Sequence, residues 1–117
     1  MSFDEIMFIN QLLRKSIEDE ITWTLEPNIP NILLLKSEAS IISCYVSSET
    51  KSGRLYLFKY RIPEYYGEYD RFFNLEKVGL ALVNGQQITW QNINDASPVY
   101  NLYEYVSNRY SGIQNIF

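Results

Sequence analysis

Residues 53–90 read GRLYLFKYRIPEYYGEYDRFFNLEKVGLALVNGQQITW, and this stretch decides the fold. Its first part alternates: Arg54, Tyr56, Phe58, Tyr60 and Ile62 take one face of an expected strand, and Leu55, Leu57, Lys59 and Arg61 take the other. The aromatic face is expected to be covered. The opposite face is expected to be buried near Leu55 and Leu57 and wet near Lys59 and Arg61. Pro63 is expected to end this strand, since it has no N–H to give to a ladder. At the far end, Val78, Leu80 and Leu82 alternate with Gly79, Ala81 and Val83. Asn84-Gly85 then predicts a type I′ hairpin turn, with Ile88 and Trp90 alternating against Gln87, Thr89 and Gln91 on the return. Gly79 and Ala81 on one face predict that something large, such as a helix, packs closely there.

Between the two lies Glu64 to Phe73, in which five of ten residues are aromatic, four are charged and one is glycine. Loops are seldom so aromatic. Two conformations compete: a short helix from about Glu68 to Leu75 that buries Phe72, Phe73 and Leu75, or an exposed loop that presents Tyr65, Tyr66 and Tyr69. Both can hold in part, with the phenylalanines inside and the tyrosines outside.

Towards the C-terminus, Ser97 as N-cap, Pro98 in the first turn and Gly112 past the end predict a helix. Its inner stripe is expected to be Val99, Leu102, Tyr103, Val106 and Tyr110, and the apolar tail Ile113 to Phe117 is expected to dock. Towards the N-terminus, Ser2-Phe3-Asp4-Glu5 has the form of a capping box, with Ser2 as the cap. Ile6, Ile9, Leu13 and Ile17, with Leu12 beside them, predict the buried stripe of the helix that follows, widened by Met7 and Phe8. Glu18, Asp19 and Glu20 crowd its negative pole, as a solvated end or as a contact for a basic partner. Ile21, Trp23 and Leu25 alternate with Thr22 and Thr24, a half-buried strand; Ile32 to Leu35 and Ile41 to Val46 read as two more. Cys44 shares a face with Ile42 and Val46 and reads as a buried, inert thiol.

The expected architecture is therefore α+β, one domain over residues 1–117. An antiparallel sheet of about five or six strands, a meander plus a C-terminal hairpin, is flanked by an N-terminal and a C-terminal helix. A chain of 117 residues buries roughly two-thirds of its unfolded surface and needs no staple. The composition, 46% hydrophobic and 21% charged, is that of a globular protein. The formal net charge of −4 and a pI near 4.8 oppose nucleic acid and anionic membranes as partners. One cysteine, no signal-like start and no apolar run long enough to span a bilayer lead to an expected cytoplasmic setting.

The chain contains no histidine, which removes Ser-His and Cys-His activation, imidazole metal ligation and the commonest general base near neutral pH. A carboxylate pair from Glu64, Glu68 and Asp70 is the remaining route to an enzyme, but acids on an exposed run have no fixed separation. Consecutive acids at 18–20 point in different directions, and no calcium loop or phosphate-cradling glycine motif is present. No enzyme, metal or cofactor is expected.

Ten tyrosines remain. A tyrosine ring brings large apolar area at low rotamer entropy, the property that enriches it where proteins bind proteins. The expected partner-binding site is Arg61, Glu64, Tyr65, Tyr66, Glu68, Tyr69, Asp70 and Arg71, unless these rings merely roof the core. The leading expectation is an inhibitor-type binder of a protein partner, of the immunity or anti-defence kind. The order helix, strands, short helix, hairpin, helix also resembles that of acidic homodimeric secretion chaperones that escort effectors. That likeness is one of topology, carries no residue roles, and implies a homodimeric escort or assembly subunit as the alternative.

Overall fold

The computed structural model describes residues 3–28, 30, 33, 40–93 and 96–110. Two helices and a five-stranded antiparallel sheet make an α+β fold: α1 (Glu5–Ile17), β1 (Trp23–Leu25), β2 (Ser40–Ser47), β3 (Arg54–Tyr66), β4 (Arg71–Asn84), β5 (Gln87–Asn92) and α2 (Ser97–Tyr110). The strand order is β1-β2-β3-β4-β5, a plain meander. Of the strand expected over Ile32–Leu35 only Leu33 is described; it is buried and its N–H bonds to Pro30 O at 3.0 Å. Ser2, Gly112 and the tail from Ile113 lie outside the described residues.

Each face of the sheet has its own core. Leu55, Leu57, Val78 and Leu80 point to the helix side, where Ile9, Leu12, Val99, Leu102 and Val106 cover them. Phe58, Tyr60, Ala81 and Val83 point to the far side, with Cys44 and Leu33. The large body packed on Gly79 is not a helix but the Phe58 ring from the paired position of β3. A Cβ on Gly79 would meet that ring at 2.7 Å. The turn after β4 also differs from expectation. Asn84 pairs with Gln87, and Gly85 alone there has a positive φ, 65°, the pattern of a type II′ loop with glycine in its first position.

The N-terminal helix is turned relative to its apolar pattern. Asp4, not Ser2, is its described cap, accepting from Met7 N–H at 3.0 Å. The buried stripe is Ile9, Leu12 and Ser16, with the exposed Glu5 at its start, whereas Ile6 is 61% and Ile17 54% exposed. Two indoles select this rotation. Trp90 Nε1–H donates to Glu5 Oε1 at 3.0 Å, and Asn92 Nδ2–H donates to Glu5 Oε2 at 3.3 Å. At the other end Trp23 Nε1–H donates to Ser16 Oγ at 2.9 Å, while Ser16 Oγ–H donates to Leu12 O at 2.7 Å. Every polar atom in this buried relay is satisfied, so Ser16→Ala should cost about 1–3 kcal/mol by orphaning the indole N–H. A urea midpoint unchanged from wild type would rule out that role.

The acidic end of α1 is fully engaged. Glu18 pairs with Arg14, Glu20 with Lys15 and Asp19 with Arg109 of α2. The C-terminal helix begins one residue earlier than expected, because Ala96 O accepts the first bond from Tyr100 N–H and Ser97 lies inside the first turn. Its buried stripe is Val99, Leu102, Tyr103 and Val106.

Candidate functional site

Pro63 does not end β3. The strand runs on to Tyr66, and β4 pairs with it without a break from Tyr66↔Arg71 to Arg54↔Val83. The reason lies in the parity of the ladder. Leu55 N–H donates to Ser47 Oγ of β2, so odd-numbered residues of β3 turn their backbone groups away from β4. Pro63 falls on that parity, beyond Ser40↔Arg61, the last described pair with β2, and its missing N–H interrupts no described bond.

The expected helix over 68–75 is therefore absent. Residues 67–70 form a tight turn, with Tyr69 N–H bonded to Tyr66 O at 3.1 Å and Asp70 taking a positive φ of 49°. From Arg71 the chain is strand. On the other side β5 joins β4 only from Leu80 onward. Residues 62–75 thus form a two-stranded arm that leaves the described sheet and projects roughly 17 Å at the usual rise per residue. The topological resemblance to escort chaperones loses its short helix here.

The arm carries aromatics on both faces. Tyr65 and Phe72 are directly opposed on the helix-side face, with ring centroids 5.1 Å apart. Tyr66 and Phe73 meet edge to face at 5.1 Å on the other, where Tyr69 adds a T-shaped contact to Phe73 at 6.2 Å. Arg71 sits over the Phe73 ring at 5.9 Å. Among the described residues none of these rings belongs to either core cluster. Tyr69 is 64% exposed, Phe72 67% and Tyr65 51%. Placing the phenylalanines inside is thus corrected: as strand residues beyond the sheet they have no described layer beneath them. The signal that could have revealed this is the symmetry of the doublets Tyr65-Tyr66 and Phe72-Phe73 about a short glycine-containing stretch, a cross-strand arrangement.

The structure brings Glu64, Tyr65, Tyr66, Glu68, Tyr69, Asp70 and Arg71 together at the tip, all exposed. Arg61 stands apart at the base, where Nη2 is 3.2 Å from Glu76 Oε1. Tyr65 O–H donates to Asp70 Oδ1 at 2.6 Å, which raises the phenol above its ordinary pKa and locks ring and turn together. The one cysteine offers no chemistry nearby: burial first, and then the charge of Glu26, push the Cys44 thiol up to about 12. Among the described residues no group of three or more His, Cys, Asp or Glu side chains is placed to hold a metal ion. No helix among them is long and apolar enough to cross a membrane.

What this geometry defines is a class of architecture: a helix-covered meander sheet with one aromatic arm that no described element covers. Comparison of the chain with family models, curated proteins and solved structures finds no match.

Proposed function

We propose that this chain is a non-enzymatic protein-binding module of the inhibitor type, the class to which immunity and anti-defence proteins belong, and that the arm is its docking element. The observation that carries the reading is the exposure of five aromatic rings on a two-stranded arm that no described element covers. A two-stranded hairpin is marginal by itself, and its cross-strand ring contacts, worth about 0.5–1.5 kcal/mol each, hold it in shape. Rings ordered in this way lose little further freedom on docking, the condition under which aromatic area becomes affinity. Glu64, Glu68 and Asp70 rim the tip with negative charge, suited to a partner whose contact surface is apolar at its centre and basic at its border.

The test pairs wild type with Tyr66→Ala/Tyr69→Ala/Phe73→Ala, both checked for folding by circular dichroism. Each is used to capture partners from native extract, and the captured protein is then titrated. Loss of one hot-spot ring is expected to cost about 2 kcal/mol or more, roughly 30-fold in affinity. A partner bound equally well by both proteins would sink the proposal.

A further inference from the structure

We propose that the helix-side face of the arm is a self-association surface: two copies pair across a two-fold axis, arms antiparallel, the tip of each on the base of the other. This rests on the reading of the arm as a docking element and assigns one of its two faces to a second copy. The far face, with Tyr66, Tyr69 and Phe73, is left to the heterologous partner.

Charge along the arm selects a second copy. The turn at the tip carries Glu68 and Asp70, a formal charge of −2. At the base of this face Lys59 and Arg61 stand against Glu76, a formal charge of +1. A surface that is negative at one end and positive at the other complements itself when inverted, the requirement of an isologous contact. With the axis passing through the Pro63↔Asn74 pair, Tyr65 and Phe72 lie over the other copy's Arg61↔Glu76 pair, and the turn acids come to its Lys59. The aromatic rings then meet a guanidinium, a favourable pairing.

The layering also fits. Helices cover this face of the sheet as far as Lys59, whose Nζ lies 5.2 Å from the centroid of Tyr103 in α2. Beyond it no described element lies over the arm. A helix layer and a second sheet layer both stand about 10 Å from a sheet, so the other copy's arm continues the layer that the helices begin. Two two-stranded faces make a contact at the small end for a specific interface, so association in the micromolar range is expected.

Sedimentation of the purified full chain at concentrations up to roughly 100 μM tests this. Three variants accompany wild type: tip-altered Glu68→Lys/Asp70→Asn, base-altered Lys59→Gln/Arg61→Glu, and ring-truncated Tyr65→Ala/Phe72→Ala. Asparagine suits the positive φ at position 70. Wild type is expected to dimerise. Each charge variant alone now opposes like charge to like and is expected to associate at least tenfold more weakly, while an equimolar mixture of the two restores both contacts and sediments as a dimer. The ring-truncated protein is expected to be monomeric yet to keep the heterologous partner. A monomeric wild type overturns the inference, as does a dimer that survives both charge variants, or a mixture that shows no rescue. None of these results touches the far-face reading, which falls only if its own ring variant binds the partner normally.

Discussion

Gly53→Ala is expected to destabilise the protein by about 3 kcal/mol or more, enough to leave a marginal domain largely unfolded at physiological temperature. Gly53 has a φ of 118°, a region that residues with a Cβ rarely enter. A Cβ at this position would also stand 2.2 Å from Val83 O and 2.9 Å from Val83 C. Neither obstacle can move cheaply, because Val83 is backbone of β4 in register with Arg54, the first residue of β3. The turn is otherwise closed by Thr50, whose N–H donates to Gly53 O at 2.8 Å and whose Oγ1–H donates to the same oxygen at 2.7 Å. Gly53 therefore fixes how β3 enters the sheet, and the arm is the far end of that strand. Urea denaturation measures the effect; a loss of stability under about 1 kcal/mol would mean that the turn rearranges and is not a structural constraint.

Trp23→Ala is expected to cost about 3–5 kcal/mol, the range for deleting a large buried aromatic side chain. Trp23 is 1% exposed and is among the largest fully buried side chains. It sits on β1, an edge strand of three residues, so its side chain must anchor that strand beneath the helices. Trp23→Phe separates the two contributions. It keeps most of the packing, and Ser16 keeps its bond to Leu12 O, so a smaller loss is expected than for alanine. In a double-mutant cycle Ser16→Ala and Trp23→Phe should be non-additive, because each removes the same hydrogen bond. Additive losses would show that the relay does not operate as a unit.

The strands were legible where one face is buried on each side of the sheet in turn. Leu55 and Leu57 against Phe58 and Tyr60 alternate because each set meets its own core, and the C-terminal helix shows a clear apolar stripe for the same reason. The site was legible in part. Tyr65, Tyr66 and Tyr69 stand out by composition, but their conformation did not, because alternation signals burial and neither face of the arm is buried by the described residues. Proline at 63 pointed to a strand end, yet its effect depends on which way its backbone nitrogen faces, and that is a matter of register with a distant strand.

The N-terminal helix shows the same division most sharply. The amino-acid sequence by itself determined that a helix runs from near Glu5 to near Ile17, that strands and a second helix follow in order, and that the aromatic surplus falls between residues 64 and 73. These depend on local spacing, turn residues and side-chain type, all of which are properties of neighbours along the chain. Only the tertiary structure decided which face of α1 turns inward, because the indoles of Trp23 and Trp90 hold Ser16 and Glu5, 7 and 85 residues away along the chain, against the apolar stripe that Ile6 and Ile17 suggest. It also decided that residues 62–75 stand clear of the described sheet as an arm, because among the described residues β2 pairs with β3 as far as Arg61 and β5 with β4 from Leu80, and which residues a neighbouring strand covers is set by register.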